Sequence, residues 1–134
     1  MFTAIADAMK HNAPILICIG LGMFMNPVNA HHSFAMLDQE HPLELSGVVK
    51  EFRFTNPHAF VRLEVKTADG NFETWTLEGS SPRALAHDGW TSTTLKTGDE
   101  LQMTVNPARN GAPRGSWDVN KVTFKNGKPV TNPR

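Results

Sequence analysis

Two adjacent histidines, His31 and His32, directly follow a stretch with the features of a secretory signal. If the chain is cut after Ala30, His31 carries a free α-amine beside its imidazole, so one residue offers two nitrogen ligands. A second imidazole opposite them completes a T-shaped set of three nitrogens, which suits copper because copper favours tetragonal nitrogen sites. His58 is the first candidate for that imidazole, followed by His32 and His87. The spacing therefore predicts a metal site formed by His31, His32 and His58, with copper as the metal.

These histidines also have plain structural explanations. A His-His pair at a chain terminus is often ordinary solvent-facing polarity. His58 follows Asn56-Pro57, so we expect it at the mouth of a strand, where it can simply bond its neighbours. His87 falls near the end of a predicted helix, where its charge favours the helix dipole. His41 precedes a proline and is expected to be exposed.

Residues 1–30 have the layout of a secretory signal peptide. Lys10 supplies the positive end, and an apolar run of about eleven residues follows, over 15–25. Such a run is too short to span a bilayer, which takes roughly twenty residues. Val28-x-Ala30 is the small-residue pattern that a signal peptidase accepts. We therefore expect cleavage after Ala30 and a periplasmic or secreted protein; a buried helix or a membrane anchor is the alternative.

The mature chain, residues 31–134, has the size of one domain. The only cysteine, Cys18, lies in the apolar run, so the mature chain has no disulfide, zinc–thiolate site or thiol nucleophile. The whole chain has 13 basic and 13 acidic residues, and removing the signal leaves the two charges in balance. A neutral surface has no long-range field to attract nucleic acid or an anionic membrane. We expect neither as a partner, and no stable membrane insertion after cleavage.

Alternation of apolar and polar residues predicts five strands. The predicted strands are residues 43–54, 59–66, 72–78, 100–105 and 117–124. Asp69-Gly70 is typical of the hairpin turn between the second and third strands. Gly47 inside the first strand suggests a bulge or a sharp bend. Residues 106–116, rich in Gly, Pro and Arg, are predicted to form a long mobile loop.

A short helix is predicted over residues 83–88, between the third and fourth strands. Ser81 is a suitable N-cap, Pro82 suits the first turn, and Gly89 suits the position after the C-cap. Trp90 would then pack back under the helix. Three strands, a helix and two strands predict an all-β fold with little helix, a five-stranded OB-like barrel. An open β-sandwich with an added helix is the competing fold.

A series of short motifs has the order and spacing of a known family. The motifs are His31-His-Ser-Phe-Ala35, Gly47-Val-Val, Thr55-Asn-Pro-His58, Trp75-x-x-Glu78, Ser81-Pro82, Gly89-Trp90, Leu95-Lys-x-Gly-Asp99 and Pro107-x-Arg109-x-Gly111. The chain resembles a family of small exported bacterial proteins, classified as a domain of unknown function, that open with His-His-Ser-Phe after the signal peptide. The resemblance implies an envelope location and a compact β domain, and it implies no activity. Phe60 stands where the family pattern has Trp.

A metal-free binding module is the second hypothesis, because OB-type barrels bind oligomers across one face. Neutral charge favours sugars, peptides or small organic ligands over nucleic acid. Trp75 and Trp90 are candidates for a stacking platform, together with Phe54 and Phe60, although buried aromatic residues more often belong to the core. Arg109, like Arg114 in the same predicted loop, is a candidate clamp for an anionic group.

An enzyme is the third hypothesis, and the sequence favours it least. His58, Glu78 and Asp88 have the chemistry for acid–base catalysis, although Glu78 could equally cap the helix or pair with Arg83. No nucleophile elbow, phosphate-binding glycine loop or dinucleotide fingerprint is present. We therefore expect a binding protein more than a catalyst.

Overall fold

Five strands and one helix form within residues 35–131, the part of the chain that the computed structural model describes. The predicted signal peptide, its cleavage point, His31 and His32 lie outside the described residues. The elements are β1 (Leu43–Arg53), β2 (Phe60–Lys66), β3 (Phe72–Glu78), α1 (Pro82–His87), β4 (Glu100–Pro107) and β5 (Arg114–Phe124).

The five strands close into a barrel in the order β1-β2-β3-β5-β4. All neighbours run antiparallel except β3 and β5, which run parallel through three residue pairs. Closure leaves no open sheet, so the β-sandwich alternative is wrong. The predicted five-stranded, OB-like barrel with its helix between the third and fourth strands is confirmed.

The core follows from the alternation that the sequence predicted. Buried side chains alternate with exposed ones along the strands, because successive residues of a strand face opposite sides, and this alternation shifts within β1 and β5. The buried strand residues are Leu45, Val49, Val61, Leu63, Leu77, Leu101, Met103, Val105, Trp117 and Val122. Trp90 joins them, 1% exposed, with its ring 6.0 Å from Phe52 and 5.0 Å from Trp117. Hydrophobic burial inside the barrel therefore holds the domain together.

Helix α1 covers one end of this core, with the capping that its sequence predicted. Ser81 is the N-cap, and its hydroxyl accepts a hydrogen bond from the Ala84 amide at 3.3 Å. Gly89 follows the C-cap with a φ of +83°. Leu85 is fully buried, and its carbonyl accepts a hydrogen bond from the Trp90 amide at 3.0 Å. This bond brings Trp90 back under the helix, as predicted.

Two local expectations are wrong. The predicted loop over 106–116 is shorter, because Asn106 and Pro107 extend β4 and Arg114–Ser116 open β5. The two strands approach closely at Gly115, where a Cβ would lie 2.4 Å from the Asn106 carbonyl oxygen. The bulge does not fall at Gly47, because the register of β1 shifts between Val49 and Glu51 instead. Gly47 lies where β1 passes from its pairing with β4 to its pairing with β2.

The segment before β1 is tied to the end of β4. The Arg109 amide donates to the Met36 carbonyl at 2.9 Å, and the Asp38 amide donates to the Pro107 carbonyl at 2.8 Å. Leu37 forms an antiparallel bridge with Ala108 between these two bonds. The chain therefore enters the described domain along the loop that joins β4 to β5. Within residues 35–131, no helix has the length and apolar character that a membrane crossing requires.

Candidate functional site

His58 and Glu78 form an ion pair where β2 begins and β3 ends. The imidazole Nδ1 contacts the carboxylate Oε1, and the two side chains are 33% and 35% exposed. A carboxylate only accepts hydrogen bonds, so Nδ1 is the ring nitrogen that carries the proton. In the neutral imidazole, Nε2 then keeps its lone pair and is free to bind a ligand or a metal.

The β2–β3 hairpin positions this pair. The strands fold back at Asp69-Gly70, and the pairing reaches Phe60 opposite Glu78 at the far end. Beyond the last strand pair, the Gly79 amide donates to the Ala59 carbonyl at 2.8 Å and the Ala59 amide donates to the Ser80 carbonyl at 3.0 Å. Ala59 is fully buried, so the backbone next to His58 is fixed by both packing and hydrogen bonds.

The pair lies in a groove of about 650 Å³ between the start of α1 and strand β5. Three carboxylates line it, from Glu78, Asp88 and Asp118, and no lysine or arginine does so among the described residues. Amide and hydroxyl groups of Asn106, Ser116 and Asn120 line the same groove. An acidic lining without basic side chains favours cations or neutral polar ligands and repels anions.

The amino-terminal segment reaches the same groove. Leu37 lines it together with His58 and Glu78, and Leu37 is held in place by its bridge to Ala108. Leu37 is the described residue nearest the amino terminus that lines this groove.

The three predicted ligand-binding residues do not come together here. Trp90 is buried inside the barrel, 1% exposed, and presents no ring face to solvent. Trp75 is half-buried against the core, and its indole N–H donates to Glu73 at 3.0 Å. Arg109 is exposed in the β4–β5 loop, and none of the three lines the groove of His58. The predicted stacking platform therefore does not form at this site.

The other histidines that the structure describes are more exposed. The side chain of His41 is 78% exposed and bonds Asp38 at 3.0 Å, and that hydrogen bond holds the pKa of the Asp38 carboxyl below its ordinary value. The side chain of His87 is 86% exposed and lies 3.6 Å from Asp88. No group of three or more His, Cys, Asp or Glu side chains in residues 35–131 is arranged to hold a metal ion.

The sequence indicates Glu78 as a candidate and leaves its partner open, and the structure pairs it with His58 instead of Arg83. Counting outward from Asp69-Gly70 places His58 beside the end of β3, so this pairing was accessible from the sequence. Asp118 and Asn120 were not singled out. They reach the groove only through the parallel pairing of β3 with β5, and no local signal in the sequence indicates that pairing.

The comparisons with known proteins give a family without an activity. A family model described as "Family of unknown function (DUF6152)" matches residues 21–127. No curated protein matches the chain, and no solved structure matches it.

Proposed function

The chain belongs to the family of unknown function DUF6152, and we propose that it is an exported copper-binding module in which His58 and an amino-terminal His31 supply the nitrogen ligands. The observation that carries the proposal is the pairing of His58 Nδ1 with the Glu78 carboxylate. Metal-binding histidines typically donate their second ring N–H to a carboxylate, which fixes the tautomer and makes the other nitrogen a better donor. Glu78 meets that requirement, and it directs Nε2 toward the role of ligand.

The length of the amino-terminal segment supports the remaining donors. Leu37 is six positions after His31, and six extended residues span at most about 21 Å. Leu37 lines the groove that contains His58, so the tether permits His31 to reach the imidazole. The α-amine and Nδ1 of His31 with Nε2 of His58 make the three-nitrogen set that copper favours, and His32 is the reserve ligand.

The charge of the groove also supports a cationic ligand. Glu78, Asp88 and Asp118 line the groove, and no lysine or arginine among the described residues does so; with His58 neutral, the lining carries three formal negative charges. Such a lining attracts a divalent cation. Among the described residues that line the groove, the donor atoms are nitrogen and oxygen, which suit Cu(II) better than Cu(I).

Export is the other half of the proposal, because only cleavage after Ala30 creates the amine of His31. Residues 1–30 carry the sequence pattern of a signal peptide, and the family match covers the predicted junction. The His-His-Ser-Phe opening of the resembling proteins stands at the same place, directly after that junction.

Copper titration of the exported, processed protein tests the proposal. We expect one tight Cu(II) site with a nitrogen-rich electron paramagnetic resonance spectrum. His58→Ala should weaken binding by at least the roughly 10–100-fold that loss of an outer-shell partner costs, because it removes a ligand itself. His87→Ala is the matched control, since His87 is an exposed histidine on the helix. The copper affinity of this variant should equal that of the wild type.

A second variant isolates the amine. One alanine added between Ala30 and His31 leaves every imidazole in place but moves the α-amine to another residue, and mass spectrometry checks where the processed chain begins. We expect a large loss of copper affinity. Unchanged affinity would show that the amine is not a ligand, and unchanged affinity in His58→Ala would overturn the site.

A metal-free ligand is the second candidate, and the size of the groove favours it. About 650 Å³ is far more than one ion needs and lies within the range of small-molecule sites. The amides of Asn106 and Asn120 with the Asp118 carboxylate can bond hydroxyl groups, so the matching ligand is a neutral polyhydroxyl compound such as a short glycan. Glycan binding by metal-free protein, lost in Asp118→Ala and kept in His58→Ala, would identify this function instead.

A further inference from the structure

A second hollow adjoins the His58 groove on the other side of Leu37 and Glu78, which line both. Its volume is about 420 Å³. Met36, Phe60, Thr76, Ala108 and Arg114 also line it. Met36 is 53% exposed. The hollow is therefore an apolar surface that the described residues leave uncovered.

The chain that precedes Met36 begins at this hollow. The Arg109 amide holds the Met36 carbonyl at 2.9 Å, and the bridge between Leu37 and Ala108 holds the next residue. Leu37 borders both hollows, but Met36 borders only this one. Going toward the amino terminus, the backbone thus moves from the shared boundary into the apolar hollow.

Phe34 stands two residues before Met36, so its Cα lies within about 7 Å of the Met36 Cα. We infer that Phe34 docks in this hollow, with its ring against Phe60 and the Met36 thioether. Aromatic pairs and sulfur–aromatic contacts favour this packing beyond simple burial, and the Arg114 guanidinium offers a cation for the ring face. The occupant is thus the chain's own amino-terminal segment.

Docking gives Phe34 a positioning role at the proposed copper site, and this part of the inference rests on the proposed function. With Phe34 anchored, His31 is three positions from a fixed residue instead of five positions from Met36. A shorter tether raises the effective concentration of the amine at His58, provided that it still spans the gap. Phe60 lies directly opposite Glu78 in the sheet, so the anchor is next to the ion pair.

Docking is tested without metal. In exported, processed, metal-free protein, Phe34→Ser should shift the nuclear magnetic resonance signals of Phe60, Thr76 and Ala108, which line the hollow and are distant from position 34 in the sequence. Phe72→Ser is the matched control, because Phe72 is 68% exposed at the start of β3 and does not line this hollow; it should leave those signals in place. In Phe34→Leu, these signals should return close to their wild-type chemical shifts. If Phe34→Ser leaves the three signals unmoved, Phe34 does not dock and the inference is overturned.

The positioning role is tested with copper. Phe34→Ser should weaken Cu(II) binding about tenfold, because the binding-competent arrangement is populated less, and Phe34→Leu should recover most of the affinity. Unchanged affinity in Phe34→Ser, together with the expected signal shifts, would overturn the positioning role and keep the docking. Wild-type protein that docks Phe34 but binds no copper would overturn the proposed function and the positioning role, and would still support docking.

Discussion

The indole ring of Trp117 fills the space that a side chain at position 79 would need. A Cβ atom on Gly79 would lie 2.5 Å from the ring Cζ2 and 2.8 Å from Nε1. Trp117 is 6% exposed, and its ring packs on Trp90 with centroids 5.0 Å apart. Gly79 directly follows Glu78, so this contact joins the aromatic core of the barrel to the end of the strand that carries the ion pair.

Gly79→Ala should therefore destabilise the fold by about 1–3 kcal/mol, the usual cost of forcing an extra carbon into a packed core. Urea unfolding followed by tryptophan fluorescence measures the change. In a Trp117→Phe background the smaller ring leaves room, so the penalty should shrink and the double-mutant cycle should show strong coupling. An equal penalty in both backgrounds would show that the ring is not the cause.

The helix cap offers a prediction with a neighbouring control. Ser81→Ala removes the hydroxyl that accepts from the Ala84 amide, and loss of such a cap typically costs about 1 kcal/mol. Ser80→Ala changes an exposed serine that contributes to the β2–β3 end through its backbone carbonyl, so it should cost under about 0.5 kcal/mol. Thermal unfolding measures the loss of stability in each variant. Equal losses in Ser81→Ala and Ser80→Ala would contradict the capping role.

The hairpin turn predicts a dependence of stability on pH. A hydrogen bond from the Thr67 hydroxyl, then one from the Asn71 side chain at 2.7 Å, hold the pKa of the Asp69 carboxyl below its ordinary value of 3.8. The folded state thus favours the carboxylate, and this stabilisation is present above the ordinary value and is lost as the pH falls through the lowered pKa. Asp69→Asn should lower the melting temperature near neutral pH, and its deficit should narrow as the pH falls below about 3.8. A deficit that stays constant across this range would exclude the carboxylate as its source.

The barrel could be predicted because the sequence features that define its strands, turn and helix are local. Alternation defines each strand, Asp69-Gly70 fixes the register of β2 and β3, and Ser81 with Gly89 bounds the helix. Each of these features depends on residues that are close in the sequence. The order of elements then leaves few ways to close the sheet.

The groove was less predictable because it depends on contacts that are distant in the sequence. Arg114–Ser116 was assigned to a loop, since Gly and Pro break the alternation there, and its pairing with Thr76–Glu78 was therefore missed. That pairing brings Asp118 and Asn120 to the side of His58. Composition alone does not separate a buried ring from a surface one, so the sequence offers Trp90 both as a ring under the helix and as a ligand platform, and the structure buries it.

Processing at the predicted junction is checked on the secreted protein itself. Amino-terminal sequencing of material recovered from the cell envelope or the medium should read His-His-Ser-Phe, because Val28-x-Ala30 offers the small residues that the peptidase needs. Ala30→Gln should block or displace the cleavage, and the matched change Asn29→Gln, at the position between the two small residues, should not. A wild-type sequence that starts elsewhere would remove the amine from the proposed copper site.

A substitution in the pair of His58 and Glu78 tests whether Glu78 prepares His58 to bind a metal or only stabilises the fold. Glu78→Gln keeps the size of the side chain but no longer fixes the proton on His58 Nδ1, so copper affinity should fall about 10–100-fold. Glu100→Gln is the matched control, because Glu100 is also a partly exposed glutamate at a strand end in an ion pair, with Lys125 at 2.6 Å, and its effect on copper binding should be negligible. Exposed pairs contribute little to folding, so both metal-free variants should unfold close to the wild-type temperature. Equal copper affinity in Glu78→Gln and wild type would show that the carboxylate does not prepare His58 for a metal.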